Sequence, residues 1–226
     1  MTSIRLSGAR GMIAKKMQAS LQDSAQLSYH AEFVADELIA ARQAWKAAGH
    51  KIGYEDLFIA SLCAVLKDYP EFNGVVTDNV AELSDAAHVS IAISSTHGLV
   101  APTLFDANGK DIQEIAAGRQ DLVSRAGIGK LTVKEMVGGS ITISNLGFTR
   151  IQYFTPIINT PQLAIIGIGR IEKRPVVDDN DEIVVKSMMG LSLTADHRFV
   201  DGEPAGRFLT SLCETLERSH PTPQPT

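Results

Sequence analysis

The sequence predicts an α/β fold, in which strands and amphipathic helices share one core. Three stretches carry that prediction. Residues 191–196 alternate apolar Leu191, Leu193 and Ala195 with Ser192, Thr194 and Asp196, as a half-buried strand does. Shortly after it, Ala205, Phe208, Leu209 and Leu212 recur at helical spacing. Residues 163–168 form a continuous apolar run, the pattern of a buried strand.

Composition sets the outer bounds. The chain has 226 residues, 44% of them hydrophobic and 21% charged, an ordinary globular profile. That length suits one large domain or two small ones. A formal net charge of -5 argues against a nucleic-acid partner, whose footprint would be basic. No apolar run reaches the roughly 18 residues of a membrane helix, and the amino terminus lacks the charged and apolar regions of a signal peptide. No membrane role is expected, and the expected location is cytoplasmic. Cys63 and Cys213 lie among apolar neighbours on predicted helices. They read as buried thiols of a reducing compartment, with a disulfide as the weaker alternative.

In chain order, residues 10–22 place Ile13, Met17 and Leu21 along one helical face, with Arg10, Lys15 and Lys16 around it. Residues 27–34 alternate as a strand. Asp36 is suited to cap a helix running to about Ala48, with Gly49 as its stop. Residues 54–66 are apolar at Leu57, Phe58, Leu62, Val65 and Leu66 and should form a core helix. Residues 88–94 read as a strand, and 112–125 as a helix with Ile115, Leu122 and Val123 inward. Thr132 and Glu135 form a capping box, hydroxyl and carboxylate each accepting from an exposed backbone donor at a helix start. Gly138 and Gly139 break the chain ahead of a strand that runs from Ser140 into a glycine turn at Gly147. Residues 176–185 read as two short strands around an acidic turn. Residues 219–226 are rich in Pro and Thr and are expected to be a disordered tail on a domain spanning 1–218.

The strand at 191–196 delivers a histidine into the turn His197-Arg198-Phe199-Val200-Asp201-Gly202. A histidine between a strand and a helix is rigidly placed yet reachable. General acid–base work at neutral pH needs that placement, because imidazole titrates near 6.5. The structural alternative makes Asp201 a helix N-cap, Gly202 a tight bend and His197 a surface residue. Other candidate sites fail. Gly167-Ile-Gly169 follows a strand, but Glu172 stands where a dinucleotide fingerprint needs a third small residue. The run 178–182 lacks the glycine and terminal glutamate of a calcium loop. His30, His50, His88, His97 and His220 lack metal-ligand spacing, so no metal is expected, and no Gly-x-Ser-x-Gly elbow is present.

His197-Arg198-x-x-Asp201-Gly202, preceded by Asp196, resembles the Asp-His-Arg-x-x-Asp-Gly signature of the 2-oxoacid dehydrogenase acyltransferases. Further stretches resemble the same family in the same order. Arg10-Gly-Met-Ile-Ala-Lys-Lys-Met17 is similar to its Arg-x-x-Ile-Ala-x-x-Met opening, and Tyr69-Pro-Glu-Phe-Asn73 to its Pro-x-Phe-Asn turn. His97-Gly-Leu-Val-Ala-Pro102 resembles its Gly-Leu-x-x-Pro run. Gly138-Gly-Ser-Ile-Thr-Ile-Ser-Asn-Leu-Gly147 resembles its Gly-Gly-x-x-Thr-Ile-Ser-Asn-Leu-Gly strand, and 154–161 its next loop. The resemblance runs from about Arg10 to about Leu216. One departure falls where the family carries a Pro-His pair that helps shape the substrate channel; this chain reads Ala25-Gln26-Leu27.

The resemblance implies an acyltransferase catalytic domain over 1–218 with an α/β, chloramphenicol-acetyltransferase-like fold, a mixed sheet flanked by helices. It implies a homotrimer with His197 of one chain facing Ser144 of the next, and larger hollow cores built from such trimers. The implied reaction moves an acyl group between coenzyme A and a thiol, the dihydrolipoyl group of a carrier domain. His197 would be the general base, Ser144 the donor to the tetrahedral oxyanion, and Asp201 the residue that holds the histidine loop. Arg10 would contact a phosphate of coenzyme A. A solvated charge at Arg10 and a helix cap at Asp201 stay open, and Asn145 reads as a turn residue. Lipoyl and subunit-binding domains, which normally precede this domain in the family, are absent from the chain as given. It is then an excised piece or a free-standing enzyme that takes a lipoyl group in trans or acylates a small molecule. A non-catalytic core or scaffold subunit is the alternative from a different class.

Overall fold

The structure, a computed structural model, describes residues 3, 6–95, 98–218 and 220–223. His97 lies outside the described residues, as do 219 and 224–226 of the tail. The elements run α1 (Gly8–Asp23), β1 (Gln26–Val34), α2 (Asp36–Ala47), α3 (Tyr54–Val65), β2 (Gly74–Thr77) and β3 (Val80–Leu83). They continue with β4 (Val89–Ser95), β5 (Gly98–Val100), β6 (Thr103–Leu104), α4 (Ile112–Gly127), α5 (Val133–Val137), β7 (Ile141–Asn145), β8 (Ala164–Val177), β9 (Ile183–Asp196) and α6 (Gly202–Glu217).

Seven strands form one mixed sheet in the order β1-β9-β8-β7-β4-β5, with β6 also paired to β4. The neighbours β4, β7 and β8 run parallel, and the other pairs are antiparallel. The expected mixed sheet flanked by helices is therefore present. The side chains of each strand alternate between two faces. One face carries Ile91, Ile143, Ile166, Leu191, Leu193 and Phe33, all within 2% of full burial. They share a core with Phe58 and Leu62 of α3 and Phe208 and Leu212 of α6. Phe208 stacks on Phe72 at 4.2 Å between ring centroids. Burying each such side chain contributes about 1.5–3 kcal/mol, which fixes the helices to this face.

Most predicted elements are present, with four corrections. Asp36 is the first helical residue of α2, and Ala35 holds the cap position. The Asp36 carboxylate instead accepts from the Ser187 N–H at 3.2 Å. Leu21 is 54% exposed, because α1 turns Ser20 inward, where its hydroxyl donates to the Ile158 carbonyl at 2.6 Å. Val123 is 40% exposed, since the buried stripe of α4 is Ile112, Ile115, Ala116, Leu122 and Ala126. The two short strands at 176–185 are the ends of β8 and β9, which form one long hairpin. It projects beyond the core, so Val177, Ile183 and Val185 are exposed and the outer stretch alternates only between partly buried and exposed residues. The β2–β3 hairpin was not anticipated, although its two-residue Asp78-Asn79 turn is left-handed at both positions, a recognisable hairpin chemistry.

The capping box at Thr132 is formed, with the Thr132 hydroxyl accepting from the Glu135 N–H at 3.3 Å. Both cysteines are free and buried, and burial pushes each thiol up to about 12. Among the described residues no helix is long and apolar enough to cross a membrane.

Candidate active site

The face of the sheet opposite α3 and α6 is built differently. Register places Ala92, Ser144, Gly167, Ser192 and His30 in one row across five strands, with Ser90, Thr142, Ile165, Thr194 and Ser28 in the next. Most of these residues are small or polar, so they leave space above the sheet. That space is a cavity of about 650 Å³, bounded by α1, β5 and the segment 154–159. Its lining is mainly apolar, from residues such as Ile13, Met17, Leu99, Met136, Phe154 and Ile165. Gly167 and Gly169 let the chain cross over here. A Cβ on Gly167 would stand 2.7 Å from the Phe154 ring, and one on Gly169 would overlap the Gln152 carbonyl. The Gly-x-Gly pair is thus a packing device inside β8.

Ser144 and Arg10 both line this cavity. The Ser144 hydroxyl has no hydrogen-bond partner among the described residues, so it is free to donate to an occupant. Asn145 points to the opposite face. Its amide donates to Glu55 at 3.0 Å and its oxygen accepts from the Gly147 N–H at 2.7 Å, which sets the glycine turn.

His197 and Asp201 lie elsewhere, beyond the end of β9. Asp196 is buried and anchors the loop: its carboxylate accepts from the N–H groups of Ala25 (3.2 Å) and Arg198 (3.1 Å) and from the Arg198 guanidinium (2.6 Å). Those hydrogen bonds hold the Arg198 guanidinium pKa above its usual range. The His197 N–H donates to the Ala25 carbonyl at 2.8 Å. The departure at 25–26 meets the histidine loop through the Ala25 N–H, a donor that a proline would lack, and the Gln26 side-chain oxygen accepts from the Ile158 N–H at 3.0 Å. Asp201 occupies the N-cap position of α6, yet its side chain makes no capping hydrogen bond. Its carboxylate lies 3.8 Å from His197 Nδ1.

One chain does not join the two halves. Two strand spacings of about 4.8 Å and five residues of about 3.3 Å separate Ser144 from His197 by roughly 19 Å. Three residues near these halves were missed in the sequence. Tyr29 has a buried hydroxyl without a partner among the described residues, and burial and then the charge of Asp201 raise its pKa. Lys16 and Asn159 pair at the cavity wall, where Lys16 had registered only as a charge beside the α1 stripe. Nothing local marks them. Among the described residues no group of three or more His, Cys, Asp or Glu could hold a metal ion.

Comparison with known proteins bears on this arrangement. The 2-oxoacid dehydrogenases acyltransferase (catalytic domain) family matches residues 1–222. The chain belongs to this family. It is 35% identical to the dihydrolipoyllysine-residue acetyltransferase component of the pyruvate dehydrogenase complex of Mycobacterium bovis, over 96% of this chain and 41% of that one. It is 34% identical to the mitochondrial succinyltransferase component of the 2-oxoglutarate dehydrogenase complex of Saccharomyces cerevisiae, over 96% and 48%. The chain thus spans about half the length of the curated relatives it matches. Among solved structures, Azotobacter vinelandii dihydrolipoamide acetyltransferase aligns with a TM-score of 0.91 at 27% identity, covering 96% of this chain and 91% of that one. The structure in question concerns the roles of a serine, a histidine and an asparagine in that enzyme's catalytic mechanism. The cubic core of a pyruvate dehydrogenase multienzyme complex aligns with a TM-score of 0.88 at 26% identity, covering 96% and 91%. Chloramphenicol acetyltransferase shares the fold at a TM-score of 0.57 and 17% identity, covering 95% and 99%.

Proposed function

We propose that this family member transfers an acyl group between coenzyme A and a thiol, the dihydrolipoyl group of a carrier domain of a 2-oxoacid dehydrogenase complex. The observation that carries the reading is the unpartnered Ser144 hydroxyl on the wall of a cavity of about 650 Å³ that a thioester arm can enter. In this mechanism His197 takes the proton from the attacking thiol, and the thiolate adds to the thioester carbonyl. The tetrahedral oxyanion accepts a hydrogen bond from Ser144. Collapse expels the second thiolate, which recovers the proton from His197. Asp201, 3.8 Å from Nδ1, orients the ring. Arg10, at the cavity rim on α1, would meet a phosphate of coenzyme A. The base contributes roughly 10²–10⁴-fold and the oxyanion donor roughly 10²–10³-fold.

The roughly 19 Å between Ser144 and His197 within one chain supports a homotrimer whose active sites lie between subunits. The similarity to a cubic pyruvate dehydrogenase core supports larger assemblies of such trimers, with other complex subunits as partners. The Azotobacter structure names a histidine and an asparagine four positions apart, the spacing of His197 and Asp201, which supports their pairing here. Free, buried thiols suit a reducing compartment, and the reading places the protein in the cytoplasm.

The test is acyl transfer from acetyl-CoA and succinyl-CoA to dihydrolipoamide, with the wild type beside His197→Ala. Turnover by the wild type, reduced about 10³-fold or more in the variant, is expected. Mixing His197→Ala with Ser144→Ala chains should restore part of the activity if sites form between subunits. A folded trimer that binds coenzyme A without acylating dihydrolipoamide would turn the reading to a small-molecule acceptor. Loss of coenzyme A binding as well would turn it to a scaffold subunit.

A further inference from the structure

The apolar cavity has one polar end. There the Lys16 ammonium donates to the Asn159 side-chain oxygen at 2.6 Å. The Asn159 amide in turn donates to the Thr142 hydroxyl at 3.4 Å, and Thr142 donates to Gln162 at 2.5 Å. Behind them a recess of about 50 Å³ is lined by Lys16, Ser90, Asn159 and Gln162. Lys16 has no carboxylate partner among the described residues. An ammonium carries three donors, so two remain free of protein partners. Burial lowers the Lys16 pKa, as expected for a cation without a counter-ion. Lys16 remains exposed in the single chain, and its two free donors are open to an anion that enters the cavity.

Position narrows the anion. Thr142 and Ser144 point the same way from β7, two residues and so about 7 Å apart. In a four-carbon dicarboxylic acyl group, three C–C bonds hold the thioester carbonyl carbon and the carboxylate carbon about 4 Å apart. Adding a hydrogen bond at each end spans the interval from Ser144 to the Lys16–Asn159–Thr142 cluster. The phosphates of coenzyme A lie more than ten bonds from its sulfur, roughly 15 Å when extended, which is too far for this cluster. Arg10 stands six residues back on α1, about 9 Å further along its axis, on the route such an arm would take.

We propose that Lys16 is a specificity-determining residue that selects acyl groups ending in a carboxylate, of the succinyl class, by pairing with that carboxylate. This rests on the acyl-transfer reading. Initial rates of transfer to dihydrolipoamide from succinyl-CoA and from acetyl-CoA test it in the wild type, Lys16→Met and Lys16→Arg. The wild type should prefer succinyl-CoA in kcat/KM. Lys16→Met should lose about 10- to 100-fold with succinyl-CoA, the value of a charge-assisted hydrogen bond, and less than about 3-fold with acetyl-CoA. Lys16→Arg should retain most of the succinyl preference. Equal losses with both donors would assign Lys16 to the part of coenzyme A they share and overturn the proposal. A wild type that transfers acetyl at least as well as succinyl would also overturn it, leaving the acyl-transfer reading intact. A wild type that transfers neither group sinks that reading and the role of Lys16 with it.

Discussion

Ile143 and Ser144 are neighbours on β7, yet they serve opposite halves of the molecule. Ile143 points into the core under α3 and α6 and is 1% exposed. Ser144 points into the cavity and has no protein partner for its hydroxyl among the described residues. The same contrast runs across the sheet, from Ile91 beside Ala92 to Leu191 beside Ser192. On the helix-covered face, volume is what matters, because close packing leaves no room for error. On the other face, small side chains matter because they leave a cavity above the sheet. One alternating pattern therefore writes a packed core on one side of the strand and an open cavity on the other.

Substitutions can break or sharpen that contrast. Ile143→Ala should cost about 2–5 kcal/mol in unfolding free energy by denaturant titration, from lost burial and a residual cavity. Ser144→Ala should leave the unfolding midpoint within about 0.5 kcal/mol of wild type while lowering kcat about 10²–10³-fold. If Ser144→Ala instead destabilised as Ile143→Ala does, the division of labour between the faces would be wrong. Gly167→Ala is intermediate. Its new Cβ would press on the Phe154 ring, so a loss of about 1–3 kcal/mol is expected together with a fall in activity, read by melting and by turnover.

The smallest effect lies away from both faces, where α5 leads into β7. The Arg125 guanidinium, followed by the Thr132 N–H, holds the Glu135 carboxyl down at about 2. A depressed carboxyl stabilises the fold at pH values above its unfolded value, 4.5, and loses that contribution as pH falls towards about 2. Glu135→Gln should therefore cost at most about 1 kcal/mol at pH 7. The difference in melting temperature from wild type should vanish near pH 2. A difference that persisted there would assign the effect to the capping geometry at Thr132 instead of to charge.

Much of this was legible in the residues themselves. Alternation at 191–196 marks β9, because side chains on a strand repeat every two residues. The strand is not half-buried, however: Ser192, Thr194 and Asp196 are within 2% of full burial like their apolar neighbours, because the segments over the second face cover them too. The helical spacing of Ala205, Phe208, Leu209 and Leu212 likewise marks the buried stripe of α6. The run from Asp196 to Gly202 is a compact local device, with Asp196 clamping Arg198 and Asp201 facing His197, so it survives as a motif. Leu21, Val123 and the outer hairpin were misjudged where an apolar residue has no core opposite it. Burial depends on what another segment brings, and a single segment does not record that.

By itself, the sequence determined the element types, the inward face of most of them, and the chemical groups at Ser144, His197 and Asp201. All of these depend on periods and contacts within a few residues. Only the tertiary structure decided that Arg10 and Ser144 share a cavity, that Lys16 meets Asn159 across 143 residues of chain, and that His197 stands far from Ser144 within one chain. Those relations follow from strand order and register, set by non-local pairing between segments whose separation along the chain says nothing of their distance in space.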